Sequence, residues 1–398
     1  MRRRPLLALA PAAVLAACTA PEPAPDGGAE DPERSSSAAE EPTEDPTEPA
    51  ETTEPPSGAE LLLADLSPRE IAGQLVLVGL AAGAELPAEV LADHHASGIF
   101  LLQVWESAEA VDAAVARARE LARADLPPLI AVDQEGGQVR MLRGDAARRT
   151  ASAESLGAEG PEAVSAAYTS IGEDLAARGI QVDLAPVADV VDPALGDGNA
   201  PVGQLGRGFG TDPELVGECV AAATAALQEQ GVAATLKHFP GLGRVEENTD
   251  FSAEGIEDAT TGRDDPFLDS FRAGIGAGAA LVMMSSAVYP ALEPDVPAMF
   301  SAAAIQDLLR GRLGFEGLVV TDDIGAAAAV ASVPVAERAT RLLEAGGDMV
   351  LTADPSLTGE LVDAIEDWAA QSPAQEQRVR ESAARVLALK ESAGLLEG

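Results

Sequence analysis

The chain has 398 residues and carries 66 acidic against 26 basic side chains, a formal net charge of −40. A surface that negative repels phosphate backbones and excludes nucleic acid as a partner. An apolar fraction of 46% is more than a disordered chain carries, and two cysteines are too few for a disulfide framework. Arginine outnumbers lysine 24 to 2, so the position of each lysine is informative.

Arg2, Arg3 and Arg4 precede an uncharged apolar run from Pro5 to Ala17. That run is shorter than the roughly 20 residues a permanent span requires and fits a secretory signal. It ends in Leu15-Ala16-Ala17-Cys18, which resembles a bacterial lipobox, so residues 1–18 are expected to be a lipoprotein signal with Cys18 lipidated. Residues 19–60 hold nine prolines and thirteen acids against one arginine, with no apolar periodicity. Such a segment cannot bury enough surface to fold and is expected to be a disordered, extended spacer. The remaining 61–398 keep 53 acids against 22 bases.

Within 61–398, short aliphatic runs recur at 74–79, 98–103, 128–133, 181–185, 233–238, 280–285, 317–322 and 348–352. Continuous apolar runs of this length are what strands buried on both faces look like. Between them lie alanine-rich stretches of helical period, among them 107–123, 161–178, 212–231, 266–277 and 301–313. Eight alternating strand–helix units predict an α/β fold, a single-domain (β/α)8 TIM barrel, with a doubly wound open sheet as the alternative. No glycine-rich nucleotide fingerprint follows the first strand.

Asp133, Lys237, His238 and Asp322 each end an aliphatic run or follow it directly. In a barrel those ends converge on the face where active sites are built. One polar residue at a strand end would mean little. Four, including one of two lysines and one of three histidines, point to an enzyme site.

Three motifs occur in order: Asp133-Gln134-Glu135-Gly136-Gly137 after the third strand, Lys237-His238-Phe239-Pro240-Gly241-Leu242-Gly243 closing the fifth, and Thr321-Asp322-Asp323 closing the seventh. Together they resemble the N-terminal barrel of glycoside hydrolase family 3, in its single-domain β-N-acetylglucosaminidase form. The resemblance spans nearly all of 61–395. It implies a retaining glycosidase that releases terminal β-linked N-acetylglucosamine from cell-wall or chitin-derived fragments, without a cofactor. It implies Asp322 as nucleophile, with Asp323 the better candidate for a cap in the following loop. It also implies sugar contacts from Asp133, Arg207, Lys237 and His238. Trp105, past the second strand, is either a second sugar platform or core.

Two departures stand beside the matches. The family follows the lysine–histidine motif with an Asp-Ser-His turn whose histidine is the general acid/base, whereas this chain has Asn248-Thr249-Asp250. His94 and His95, the other histidines, precede the second strand. Arginine is common eight residues after the strand-three aspartate, and here that position is Met141, flanked by Arg140 and Arg143. Asp250 is the expected substitute acid/base, brought toward Asp322 by closure of loop 241–252, with Glu246 and Glu247 as reserves. The competing readings are a barrel that only binds sugar and a β-glucosidase or phosphorolytic variant. Cys219 reads as a small buried hydrophobe, and no metal cluster is evident. The expected product is a monomeric, secreted lipoprotein held on the outer face of a bacterial cell membrane, with a carbohydrate as its partner.

Overall fold

Eight parallel strands close into a barrel in the computed structural model, which describes residues 57–396. They are β1 (Val76–Ala81), β2 (Gly98–Leu102), β3 (Leu129–Val132), β4 (Val182–Asp183), β5 (Ala233–Phe239), β6 (Leu281–Met284), β7 (Leu318–Asp323) and β8 (Met349–Thr352). Each overlaps the aliphatic run expected for it, and β1 pairs with both β2 and β8, so the ring has no edge. The open-sheet alternative is thereby excluded. The signal, the lipidation of Cys18 and nearly all of the spacer lie outside the described residues. A helix begins at Gly58, capped by Ser57, three residues ahead of the boundary expected at residue 61.

The strands are apolar on both faces because each face meets a different core. Leu77, Phe100, Leu129, Ala131, Leu184, Leu281, Met283, Leu318, Val320 and Met349 fill the barrel interior, joined by Val386 and Leu389 of the helix Pro373–Ser392. The alternate residues, such as Val76, Val78, Ile130 and Val132, pack outward against the helices. A parallel strand covered on both sides cannot alternate polar with apolar residues, which is why the runs are continuous. Helices lie where expected, at Ala108–Leu121, Pro161–Ala177 and Pro213–Glu229, each begun by a cap or a first-turn proline.

Three details differ from the expectation. The stretch 266–277 splits into a 3-10 turn, Pro266–Leu268, and a helix, Asp269–Gly276. Residues Ala303–Arg312 form a π-helix, whose wider turn continues as the Leu313 N–H donates to Leu308 O at 3.0 Å. The chain after β3 doubles back in a short hairpin, Gln134–Gly136 against Val139–Arg140, that no periodicity announced.

Candidate active site

The motif after β3 builds that hairpin. Gly136 and Gly137 turn it at φ of 97° and 55°, conformations that side-chain-bearing residues avoid. A Cβ on Gly136 would also stand 2.5 Å from Ala151 O. The turn fixes Asp133 and Glu135 at the C-terminal mouth of the barrel. Met141, in the place where arginine is common, lines the mouth with Val139, while Arg140 and Arg143 donate to backbone carbonyls of the hairpin.

Glu135 is the charge around which the mouth is organised. Its carboxylate accepts two hydrogen bonds from Arg207, Nη2 at 2.7 Å and Nε at 2.9 Å, and lies 2.7 Å from Lys237 Nζ. Lys237 Nζ also donates to Asp133 at 2.5 Å. Burial alone would raise the Glu135 pKa, but Arg207 and Lys237 outweigh it and hold the carboxyl down to about 2. Burial likewise disfavours the Lys237 ammonium, and Asp133 and Glu135 reverse that and push its pKa up. Two cations and two anions thus neutralise one another at a buried floor. Below them, burial pushes Asp183 up to about 8; one of its oxygens accepts from Gln134 N at 3.0 Å and the other has no partner among the described residues.

The Lys237-to-Gly243 motif closes β5 and bends over the same mouth. Asp189, fully buried, accepts from His238 Nδ1 at 2.8 Å, from the His238 backbone N at 3.1 Å and from Leu242 N at 2.8 Å. One carboxylate therefore orients the imidazole and shapes the turn, leaving Nε2 beside Arg207 Nη2 at 3.3 Å. Gly243 lies so close to the chain after β4 that a Cβ would stand 1.7 Å from Val190 O. Asn199 and Tyr289 donate to loop carbonyls, and the loop's far end is tied to the segment after β7 by Ala328 N to Asp250 O and Ala329 N to Thr249 O. Asp250 and Asp322 line the same cavity.

The two aspartates ending β7 have different surroundings. Asp323 accepts from Ala353 N at 2.7 Å, Gly325 N at 2.8 Å and Ala326 N at 2.9 Å, so its carboxylate is consumed in capping the turn. Among the described residues Asp322 accepts only from Asp323 N, at 2.9 Å, and it lines the cavity. Asp250 stands at the rim. Crowding there and the negative charge of Asp322 push its carboxyl up to about 6. Water reaches its exposed edge and weakens the first of these causes, while the repulsion from Asp322 acts across the cavity.

Asp133, Arg207, Lys237, His238, Asp250 and Asp322 all line one cavity of about 600 Å³ over an apolar floor that includes Phe100, Leu184 and Met283. That volume and mixture suit a small polar ligand with an apolar face. Other candidates lie elsewhere. Trp105 is buried, and its indole N–H donates to Leu102 O at 2.9 Å, so it is core and not a platform. His94 pairs with Arg69 before β2, at the opposite end of the barrel. Glu246 and Glu247 do not line the cavity. Cys219 is buried, and among the described residues no group of three or more His, Cys, Asp or Glu is arranged to hold a metal ion. Glu135, inside the first motif, and Asp189, in the chain after β4, were not singled out; their roles rest on contacts across 72 and 49 residues of sequence.

The glycosyl hydrolase family 3 N-terminal domain matches residues 68–389. A β-hexosaminidase of Xanthomonas oryzae pv. oryzae is 37% identical over 310 residues, covering 73% of this chain and 87% of the relative. The solved β-N-acetylhexosaminidase of Beutenbergia cavernae is similar at 42% identity and a TM-score of 0.78, covering 82% of this chain and 99% of that one. A family 3 β-N-acetylglucosaminidase of a Paenibacillus species is similar at 31% identity and a TM-score of 0.73, covering 84% of this chain and 64% of that one.

Proposed function

The chain belongs to glycosyl hydrolase family 3 and is a glycosidase of the β-N-acetylhexosaminidase kind, and from that premise we propose that Asp322 and Asp250 carry out a retaining hydrolysis that releases terminal N-acetylglucosamine. The observation that carries the proposal is the pair itself. Asp322 faces the cavity with a single backbone N–H as partner, and Asp250 faces it with a carboxyl raised to about 6.

The chemistry follows from those two environments. The Asp322 carboxylate attacks the anomeric carbon as the bond to the leaving oxygen breaks, and protonated Asp250 gives its proton to that oxygen, so an alcohol departs and a glycosyl ester remains. Water then attacks the anomeric carbon of the ester while the Asp250 carboxylate takes its proton, and the bond to the Asp322 oxygen breaks, which returns the Asp322 carboxylate and frees the sugar with its original β configuration. Formation of the ester discharges Asp322, which removes the repulsion that raised Asp250. The same group is thus held protonated for the first step, while Asp322 is charged, and released to its ionised form to act as base in the second. Two carboxyls suffice, so the mechanism needs no cofactor.

Asp133, Arg207, Lys237 and His238 are the proposed sugar contacts. Asp133, held by Lys237, accepts from hydroxyls, and Arg207 and His238, held by Glu135 and Asp189, present nitrogen toward the cavity. The proposal further takes the enzyme to act as a monomer on carbohydrate from cell-wall or chitin-derived fragments. The proposal extends to location: lipidation of Cys18 would tether the barrel to the outer face of a bacterial cell membrane, with residues 19–60 as spacer. Cys18→Ser should move the protein from the membrane fraction into the medium.

The catalytic proposal is tested with an aryl β-N-acetylglucosaminide. Asp322→Ala should abolish release of the phenol. Asp250→Asn should spare a nitrophenyl substrate, whose leaving group needs no proton, far more than chitobiose, and equal losses on the two would remove Asp250 from the acid role.

A further inference from the structure

We propose that Phe251 is the platform for the leaving-group sugar, and that the acidic strip beside it selects uncharged or amine-bearing aglycones over carboxylate-bearing ones. This rests on the hydrolytic reading above. A lone exposed apolar side chain is ordinary on a protein surface. Phe251 differs in place and degree: it is 84% exposed, the most exposed large apolar side chain among the described residues, and it follows the proposed acid/base directly. It lines the catalytic cavity and also an adjoining cavity of about 730 Å³ formed with Leu205, Asn248 and Ser252.

The turn that carries the ring is fixed by hydrogen bonds. Asn248 organises the turn, its Oδ1 accepting from Asp250 N at 2.8 Å and its carbonyl from Phe251 N at 3.1 Å and Ser252 N at 2.9 Å. Asp250 must stand on the side of the departing oxygen to protonate it, so the neighbouring ring faces whatever that oxygen is attached to. An exposed aromatic face against the C–H face of a pyranose removes apolar surface from water on both partners.

The charge of the adjoining cavity narrows the class. Glu246, Glu247 and Glu254 line it, each exposed and none in an ion pair among the described residues, and its lining contains no lysine or arginine. The arginines of the β3 hairpin, Arg140 and Arg143, line neither cavity. A muramyl residue would bring its lactyl carboxylate toward three like charges, whereas N-acetylglucosamine brings none and glucosamine brings an attracted ammonium. Chitin-type oligosaccharides therefore fit this side of the site and muramyl fragments do not.

The test compares three substrates on the full chain: N-acetylglucosaminyl fluoride, which has no aglycone sugar, chitotriose, and N-acetylglucosaminyl-muramic acid. Phe251→Ala should lower the chitotriose-to-fluoride ratio of kcat/KM about tenfold, mainly through KM, and Phe251→Trp should restore it. Wild type should favour chitotriose over the muramyl disaccharide. Changing Glu246, Glu247 and Glu254 together to glutamine should narrow that preference at least fivefold, as should raised salt. A ratio unmoved by Phe251→Ala, or a wild-type preference for the muramyl substrate, overturns the proposal. Absence of turnover on the fluoride instead overturns the hydrolytic reading beneath it.

Discussion

Glu135→Gln is the sharpest perturbation of the floor that holds the sugar contacts. It keeps the side-chain shape and removes the anion between Arg207 and Lys237. Against an ordinary value of 4.5, a carboxyl held at about 2 corresponds to about 3 kcal/mol of stabilisation at pH 7. The side chain is 2% exposed, so solvent screens little of this. Loss of one partner from a buried ion pair costs about 3–5 kcal/mol elsewhere, which agrees. Because the folded value lies below the unfolded one, the stabilisation is present above about pH 4.5 and is lost as pH falls toward 2, with less than half remaining at pH 3. Urea unfolding of wild type and variant at pH 7 and pH 3 measures it. The expected gap is about 3 kcal/mol at pH 7, narrowing to less than half of that at pH 3. A gap under about 1 kcal/mol at pH 7, or one independent of pH, would refute the assignment of Glu135 as the charge that holds the floor together.

Three further outcomes follow from the same contacts. With Asp250 raised to about 6 and required in its protonated form, kcat/KM on chitobiose should fall as pH rises through about 6, whereas kcat/KM on a nitrophenyl substrate, whose leaving group needs no proton, should show no such limb. Asp189→Asn, which weakens the hold on His238 and Leu242, should lower kcat/KM by roughly ten- to hundredfold in steady-state assays while leaving the barrel folded. Lys390 is fully buried with Gln74 Oε1 as its partner, and burial pushes it down to about 7, so folding excludes a proton that the unfolded chain binds up to pH 10.5. Wild-type stability relative to Lys390→Met should accordingly rise by about 2–3 kcal/mol between pH 8 and pH 10 in denaturant titrations.

The barrel was legible because a strand buried on both faces leaves an unbroken aliphatic run, and eight such runs punctuated by helical stretches admit few closures. The hairpin at Gln134–Arg140 escaped because its strands of three and two residues are shorter than any period that marks a strand. The π-turns of Ala303–Arg312 escaped because their apolar spacing matches an α-helix closely enough. Within the site, Asp133, Lys237, His238 and Asp322 announced themselves by ending strands. Glu135 and Asp189 did not, since what distinguishes them is a partner brought close only by barrel closure. Trp105 offered an aromatic near the second strand end, but the chain turns its ring into the core; the exposed ring belongs to Phe251, on a loop where sequence carried no signal of exposure. The missing histidine was visible as an absence. That Asp250 lines the same cavity as Asp322, on a loop tied by backbone bonds to Ala328 and Ala329, was not legible in the sequence.

The most direct test of the mechanism is mass spectrometry of the enzyme quenched during turnover of a 5-fluoro N-acetylglucosaminyl fluoride, a donor whose second step is slow. The account predicts one glycosyl adduct, on the peptide bearing Asp322 and abolished by Asp322→Ala. An adduct on Asp323 or Asp250, or steady turnover with no adduct at all, would contradict it.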